Sequence, residues 1–447
     1  LRRIALAHQI CPYYLGQELL RWSDVMVGDV HHIFDPNGQV WSLAQALDWK
    51  IGLLIDEAHN FIDRVRGMYS ADLGLSQLRS VLPIAPTSIH TKLNALLRTI
   101  DHIAIEQAEQ HVALDALPDA LVEGLQALTT ALVEHFQKLP FAVGPLLNAL
   151  FQLLRFQRLA ESFGDHSIFE VKRSVTLDRS IDVLDADAFE VVLTIRNIVP
   201  APFTRFRFSQ FHTATLFSAT LGTAAYQRDL LGLPTDTAWI DVAAAFPPEN
   251  LVVRVADRLS TRFPDRAKSL RALTDLMTLQ FDAQPGNYLA FFSSFEYAQQ
   301  AAQLLAARRP DVAQWRQRKS MDRAARADFL SRFEPQGTGV GFAVLGGVFA
   351  EGVDLPGSRL IGAFIATLGL PPVSPVQDQV RARLDKLFGE GHGYADLVPA
   401  MQRVVQAAGR VVRTPEDRGW LWLMDDRYRR PEVVQLLPIS WGLRENG

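Results

Sequence analysis

Residues 51–60 read Ile-Gly-Leu-Leu-Ile-Asp-Glu-Ala-His-Asn. The apolar run 51–55 lacks polar alternation, the pattern of a strand buried on both faces of a parallel sheet. It stops abruptly at two adjacent carboxylates, Asp56 and Glu57, followed by Ala58 and His59. Parallel strands need crossover connections, usually helices, so an α/β layer architecture is the expectation. In open sheets of that kind ligands gather at the carboxyl ends of the strands. Two acids there can hold a Mg²⁺ ion and orient a water against a phosphate. A solvated turn after a strand has the same composition, so the acid pair taken alone leaves both readings open.

At 447 residues the chain exceeds one ordinary core, and two or three domains are expected. A hydrophobic content of 48% indicates a globular chain with substantial cores. No apolar run reaches the roughly 20 residues that span a bilayer. The longest stretches, 339–350 and 360–372, are broken by Gly and Pro and read as buried strands with turns. The net charge of −4 does not advertise nucleic-acid binding, yet 308–332 and 403–430 are locally basic and rich in Arg. Arg suits bidentate phosphate contacts; a solvated helix face explains any single one equally well. Cys11 is the single cysteine, so no intrachain disulfide can form, which fits a reducing cytoplasm. No secretory signal is visible. The chain opens on Leu1 and runs straight into Arg2-Arg3-Ile4, which reads as a fragment with further sequence upstream.

Along the chain, residues 1–60 have an α/β texture, with a helix expected at 17–22 and a short strand at 25–27 before the 51–55 strand. From 61 to 200 the texture becomes helical. Leu121, Val122, Leu125, Leu128, Leu132, Val133 and Phe136 recur at spacings of three and four, as do Leu93, Leu96, Leu97 and Ile100. Pro83, Pro86, Pro118 and Pro140 punctuate these helices. After Pro200 the α/β pattern returns, with strands expected at 214–217, 251–255, 288–292, 342–345, 360–367 and 420–424.

Four further segments carry chemistry. Gln406-Ala-Ala-Gly409-Arg410-Val-Val-Arg413 begins in an expected helix, and spacings of four and three put Gln406, Arg410 and Arg413 on one face. Such a stripe suits a triphosphate, an Arg stabilising charge on the γ-phosphate; surface ion pairs are the plainer explanation. Gly346-Gly347 ends a strand and leads through Glu351 and Gly352 to Asp354-Leu355-Pro356, either a nucleotide-contacting loop or a Gly-rich turn. Ser218-Ala219-Thr220 closes another strand, where hydroxyls can bond His59 or simply cap a helix. Phe291-Phe292-Ser293-Ser294 offers hydroxyls for a backbone phosphate, with the same capping alternative.

In this order the segments match the motif set of superfamily 2 helicases, and in detail the chain resembles the XPD/DinG family of DNA helicases. The carriers are Asp56-Glu57-Ala58-His59, Leu216-Phe217-Ser218-Ala219-Thr220-Leu221, Phe291-Phe292-Ser293-Ser294, Glu351-Gly352-Val353-Asp354-Leu355-Pro356, and Gln406 to Arg413 with Thr414-Pro415-Glu416-Asp417-Arg418-Gly419 after it. The resemblance implies two RecA-like parallel-sheet motor domains, the first incomplete (1–60 and 201–238), the second at 239–447. A mostly helical, arch-like insertion would occupy 61–200. It implies ATP and Mg²⁺, single-stranded or junction DNA as partner, 5′→3′ unwinding, a place in DNA repair, no membrane, and the cytoplasm, or the nucleoid of a prokaryote. On that pattern Asp56, in its DEAH box, holds Mg²⁺ and Glu57 polarises the attacking water. Arg410 and Arg413 reach the γ-phosphate; Gln406, Gly409, Gly352 and Asp354 contact the nucleotide; and His59, Ser218, Ala219 and Thr220 couple nucleotide state to strand grip.

Cys11 stands where the family keeps the fourth cysteine of a 4Fe–4S cluster, with the other three ligands expected upstream in the intact protein. The sequence holds no Gly-Lys-Ser or Gly-Lys-Thr phosphate loop, and Gly337-Thr338-Gly339-Val340-Gly341 lacks the Lys and precedes a strand. The chain is therefore expected to be inactive alone. The rival reading is a non-catalytic DNA- or protein-binding module derived from a helicase. No acid cluster of a metal nuclease is seen.

Overall fold

The computed structural model describes residues 2–139, 143–175, 189–243, 246–350 and 354–444. The chain divides into two units. One comprises Leu1–Ser218, Gln227–Thr237 and Val373–Gly389; the other comprises Ala219–Tyr226, Ala238–Pro372 and Glu390–Gly447.

In the first unit, β1 (Gly52–Ile55) is followed by β2 (Ala71–Gly74), β3 (His111–Leu114), β4 (Ser167–Val175), β5 (Phe189–Asn197) and β6 (Thr213–Leu216). β1 and β6 pair in parallel, with Leu54 opposite Thr215 and Ile55 opposite Leu216. The parallel direction agrees with the apolar run, but the burial does not. Ile55 is buried, whereas Leu54 is 73% exposed. Among the described residues this sheet has two strands, so no third strand covers β1. Residues 25–27 correct a second expectation: they form no strand, and Val27 is 96% exposed. β propensity without a partner ladder leaves the backbone irregular. The helix expected at 17–22 lies earlier, at Pro12–Leu20, because Pro12 presets the first helical turn.

The periodic segments within 61–200 are helices, Thr87–Glu106 and Asp119–Gln137, joined by Pro145–Glu161. Leu93, Leu96, Leu97 and Ile100 are buried on the first helix and Leu121, Leu125, Leu128 and Leu132 on the second. Each such side chain stabilises the fold by about 1.5–3 kcal/mol. Val122, Val133 and Phe136 lie at the half-buried margin of the stripe. To these helices the structure adds an antiparallel sheet in the order β2-β5-β4-β3, which periodicity did not show. In β4, Ile168, Phe169, Glu170 and Val171 are all buried, so no alternation marks the strand. Buried Glu170 is paired with Arg196 and with His111 Nε2 at 2.9 Å. The helix Pro375–Phe388, far downstream in sequence, packs on β3 and β4. There Arg383 Nη2 donates to Asp115 at 2.5 Å and Lys386 Nζ to Asp165 at 3.2 Å.

The second unit is a six-stranded parallel sheet of β7 (Leu251–Val255), β8 (Asn287–Phe292), β9 (Ala313–Arg316), β10 (Gly339–Val344), β11 (Gly362–Ala366) and β12 (Gly419–Leu423). Its order is β7-β12-β11-β8-β10-β9. Every residue of the inner strands β8 and β11 is buried, as continuous apolar runs in parallel sheets require. β9 was not expected; it is a short edge strand in which Trp315 alone is buried. Gly339 and Gly341 lie within β10, where an added Cβ would come 2.4 Å from the Trp315 ring and 2.6 Å from the Phe333 ring. The Gly-rich run is thus a strand that admits aromatic rings, not a phosphate loop. No helix among the described residues is long and apolar enough to cross a membrane.

Candidate active site

In the first unit the site grows from the ends of β1 and β6. Strand pairing continues past them, with Phe217 N–H donating to Ile55 O at 3.0 Å and Ala58 N–H to Phe217 O at 3.1 Å. This clamp turns the chain sharply after Asp56, and Glu57 takes a left-handed backbone (φ 49°, ψ 41°). That conformation costs a non-glycine residue about 1–2 kcal/mol. Asp56 Oδ1 offsets it by accepting from Glu57 N–H at 2.7 Å, and Glu57 O accepts from Asn60 N–H at 3.0 Å. The result displays both carboxylates to solvent, the Glu57 side chain being 68% exposed.

His59 is packed below them, its side chain 8% exposed. Its Nδ1 lies 2.6 Å from Ser218 Oγ and 3.2 Å from Glu57 Oε2. A protonated Nδ1 can donate to the carboxylate, and an unprotonated one can accept the serine proton. The segment 25–30 and the end of β1 border an open pocket of about 560 Å³ lined by Asp56, Glu57, Asp29 and Arg64, among others. Sequence reading missed Asp29 and Arg64, which pair at 2.8 Å. Hydrogen bonds from His31, then Arg64, hold the Asp29 carboxyl well below the usual carboxylate range.

In the second unit the helix Val398–Ala408 ends before the arginines. The expected single helical stripe is therefore corrected: Gln406 is helical, Gly409 caps the helix, and Arg410 and Arg413 sit on the loop beyond. Gly409 N–H donates to Val405 O, and Val411 then turns inward and is buried. The helix ends at Ala408, so Arg410 and Arg413 do not share a helical face with Gln406. Arg410 Nε donates to Ala350 O at 3.3 Å. Thr220 is buried, its carbonyl accepting from Gln402 Nε2 at 3.0 Å, with Gln406 Nε2 3.5 Å from its hydroxyl. Ala219 and Asp354 are exposed. Gly352 lies outside the described residues. Ser218 belongs to the first unit and Ala219 to the second, so the tripeptide spans the division.

The exposed oxygens of Asp56 and Glu57 at a strand end suit a hard divalent cation such as Mg²⁺, which takes one or two carboxylates together with substrate phosphates. An iron–sulfur cluster does not fit the residues present. Cys11 is an exposed lone thiol just before the helix Pro12–Leu20, and such clusters take four cysteine ligands.

Comparison with known proteins decides the family. Residues 277–443 match the helicase C-terminal domain family and residues 1–78 match the DEAD_2 family. An XPD helicase structure superposes over 100% of this chain and 76% of its own, with a TM-score of 0.62 at 17% identity. The chain belongs to the XPD/DinG-like superfamily 2 helicases. A second structure of this kind, Xpd4 of S. tokodaii, covers 92% of this helicase-family chain and 80% of its own length (TM-score 0.58, 14% identity). A probable ATP-dependent helicase of Methanocaldococcus jannaschii is 26% identical over 230 residues, 47% of the present chain and 34% of that protein. The ATP-dependent DNA helicase CHL1 of Eremothecium gossypii is 33% identical over 70 residues, 15% of this chain and 8% of that protein. The chain thus spans about a third or less of the length of these two relatives. Its two matched segments contain the acidic box and the arginine loop.

Proposed function

We propose that this chain is the later portion of an ATP-dependent DNA helicase that couples ATP hydrolysis to 5′→3′ unwinding. The carrying observation is the 2.6 Å approach of His59 Nδ1 to Ser218 Oγ beside Glu57. It ties the acidic box to the segment leading into Thr220, as a coupling between hydrolysis and strand movement requires. Asp56 holds Mg²⁺, which when bound neutralises charge on the transferred phosphoryl group. Glu57 orients the attacking water, and Arg410 and Arg413 stabilise charge on the γ-phosphate. Gln406, Gly409, Gly352 and Asp354 contact the nucleotide.

The sequence contains no Gly-Lys-Ser or Gly-Lys-Thr, so the Lys that reaches the phosphates must come from outside these 447 residues, and the chain alone turns over no ATP. The deciding experiment is DNA-stimulated ATP hydrolysis in the protein carrying its phosphate loop, with Glu57→Gln alongside. Loss of turnover with ATP binding retained supports the reading; undiminished turnover in the variant refutes the role of Glu57.

A further inference from the structure

Asp417 follows the arginine loop, and sequence reading assigned it no role of its own. It is 7% exposed. Its Oδ2 accepts from the backbone N–H groups of Arg413 and Thr414, both at 2.8 Å. Its Oδ1 accepts from the backbone N–H of Gly357 at 3.0 Å. The first two donors belong to the loop that carries Arg410 and Arg413. The third belongs to the turn immediately after Asp354-Leu355-Pro356, where Gly357 adopts φ +64°. One carboxylate therefore ties the arginine loop to the start of the short 3₁₀ turn Gly357–Arg359.

The surroundings brace the same tie. Buried Asn250 donates from Nδ2 to Pro415 O at 2.8 Å. Val411 rests against Gly419, where an added Cβ would come 2.1 Å from Val411 Cγ1. Burial pushes the Asp417 carboxyl up, but the N–H groups of Arg413, Thr414 and Gly357, with the Thr414 hydroxyl, outweigh it and hold it below its usual value. It is therefore an ionised acceptor at neutral pH, able to serve all three amides at once.

We propose that Asp417 is the positioning residue of the arginine pair, fixing the loop of Arg410 and Arg413 to the turn of Asp354 so that both are presented together to a nucleoside triphosphate. The proposal rests on the ATPase reading above. A charge-stabilising group acts by being in place before charge develops, and a misplacement of about 1 Å can cost on the order of a hundredfold in rate. Asparagine has nearly the same shape but replaces one acceptor with a donor, so it cannot satisfy all three amides.

The test uses the protein carrying its phosphate loop. Asp417→Asn is expected to lower kcat for ATP hydrolysis by about 10- to 100-fold with KM changed by less than about threefold. Added to Arg413→Ala, it is expected to deepen that variant's loss by less than about twofold, because the two residues act as one unit. In the 447-residue chain the same substitution is expected to speed amide exchange at Gly357, Arg413 and Thr414 while β11 and β12 stay protected. Unchanged kcat, a fully additive double variant, or unchanged exchange at the three amides would each overturn the proposal. A wild-type protein without turnover would instead overturn the ATPase reading, and with it the catalytic sense of the tie, while the exchange data still judge the tie itself.

Discussion

His59 Nδ1 lies 2.6 Å from Ser218 Oγ, although 159 positions separate the two residues in the chain. The parallel register explains the meeting. Ile55 pairs with Leu216, so the residues just beyond each strand end are brought side by side. Ser218→Ala removes the hydroxyl and leaves the Glu57 contact of His59 in place. In the intact protein this variant is expected to keep ATP hydrolysis within about threefold and lose strand displacement by about tenfold or more, the scale of a typical coupling energy. Parallel phosphate-release and strand-displacement assays check it, and equal losses in both would rule out a coupling role.

Glu57→Gln preserves size and removes the carboxylate proposed to orient water. Turnover is expected to fall by at least about a hundredfold, within the range of general acid–base contributions. The left-handed backbone at this position is unchanged by the substitution, so nucleotide binding measured by fluorescence titration is expected to persist.

The 447-residue chain by itself is expected to show no ATP hydrolysis above background, because no lysine of a phosphate loop is present in its sequence. Turnover that disappears on Arg413→Ala would contradict this.

Asp425 gives the second unit a defined acid sensitivity. It is completely buried. Burial pushes its carboxyl up, yet hydrogen bonds from Arg427 and Thr261 prevail and hold it at about 2, below the ordinary 3.8. A depressed folded-state value means its contribution is complete above the ordinary value and is lost as the pH falls from about 3.8 toward 2. Asp425→Asn is therefore expected to destabilise the chain at pH 7, with the difference from wild type shrinking across that interval. Urea unfolding at a series of pH values measures it, and a pH-independent difference would remove the ionised carboxylate from the explanation.

Gly341→Ala tests the packing of β10 against its aromatic neighbours. The added methyl would come 2.6 Å from the Phe333 ring and 2.8 Å from Trp315 Nε1. Overpacking of this kind is expected to cost about 1–3 kcal/mol, read as a lower urea midpoint.

Local pattern determined much of this protein. An apolar run ending in Asp56-Glu57 was enough for a parallel strand with acids at its carboxyl end, and spacings of three and four were enough for the helices carrying Leu96 and Leu125. Those signals are legible because apolar runs and helix faces depend on residues near in sequence. Tertiary structure decided the rest. The exposure of Leu54 and the irregular course of 25–27 depend on which strands stand beside them. The antiparallel sheet of β2 to β5 was hidden because Ile168, Phe169, Glu170 and Val171 are all buried, which erases alternation. The arginine loop leaves the helix after Ala408, and the N–H groups of Arg413 and Thr414 go to the Asp417 carboxylate rather than to helical carbonyls, which the spacing of 406, 410 and 413 could not reveal. Asp417 reads in sequence as one acid among many. Its carboxylate becomes the tie between two loops only when folding brings Gly357 within 3.0 Å of it, an approach set by the packing of elements about 60 residues apart.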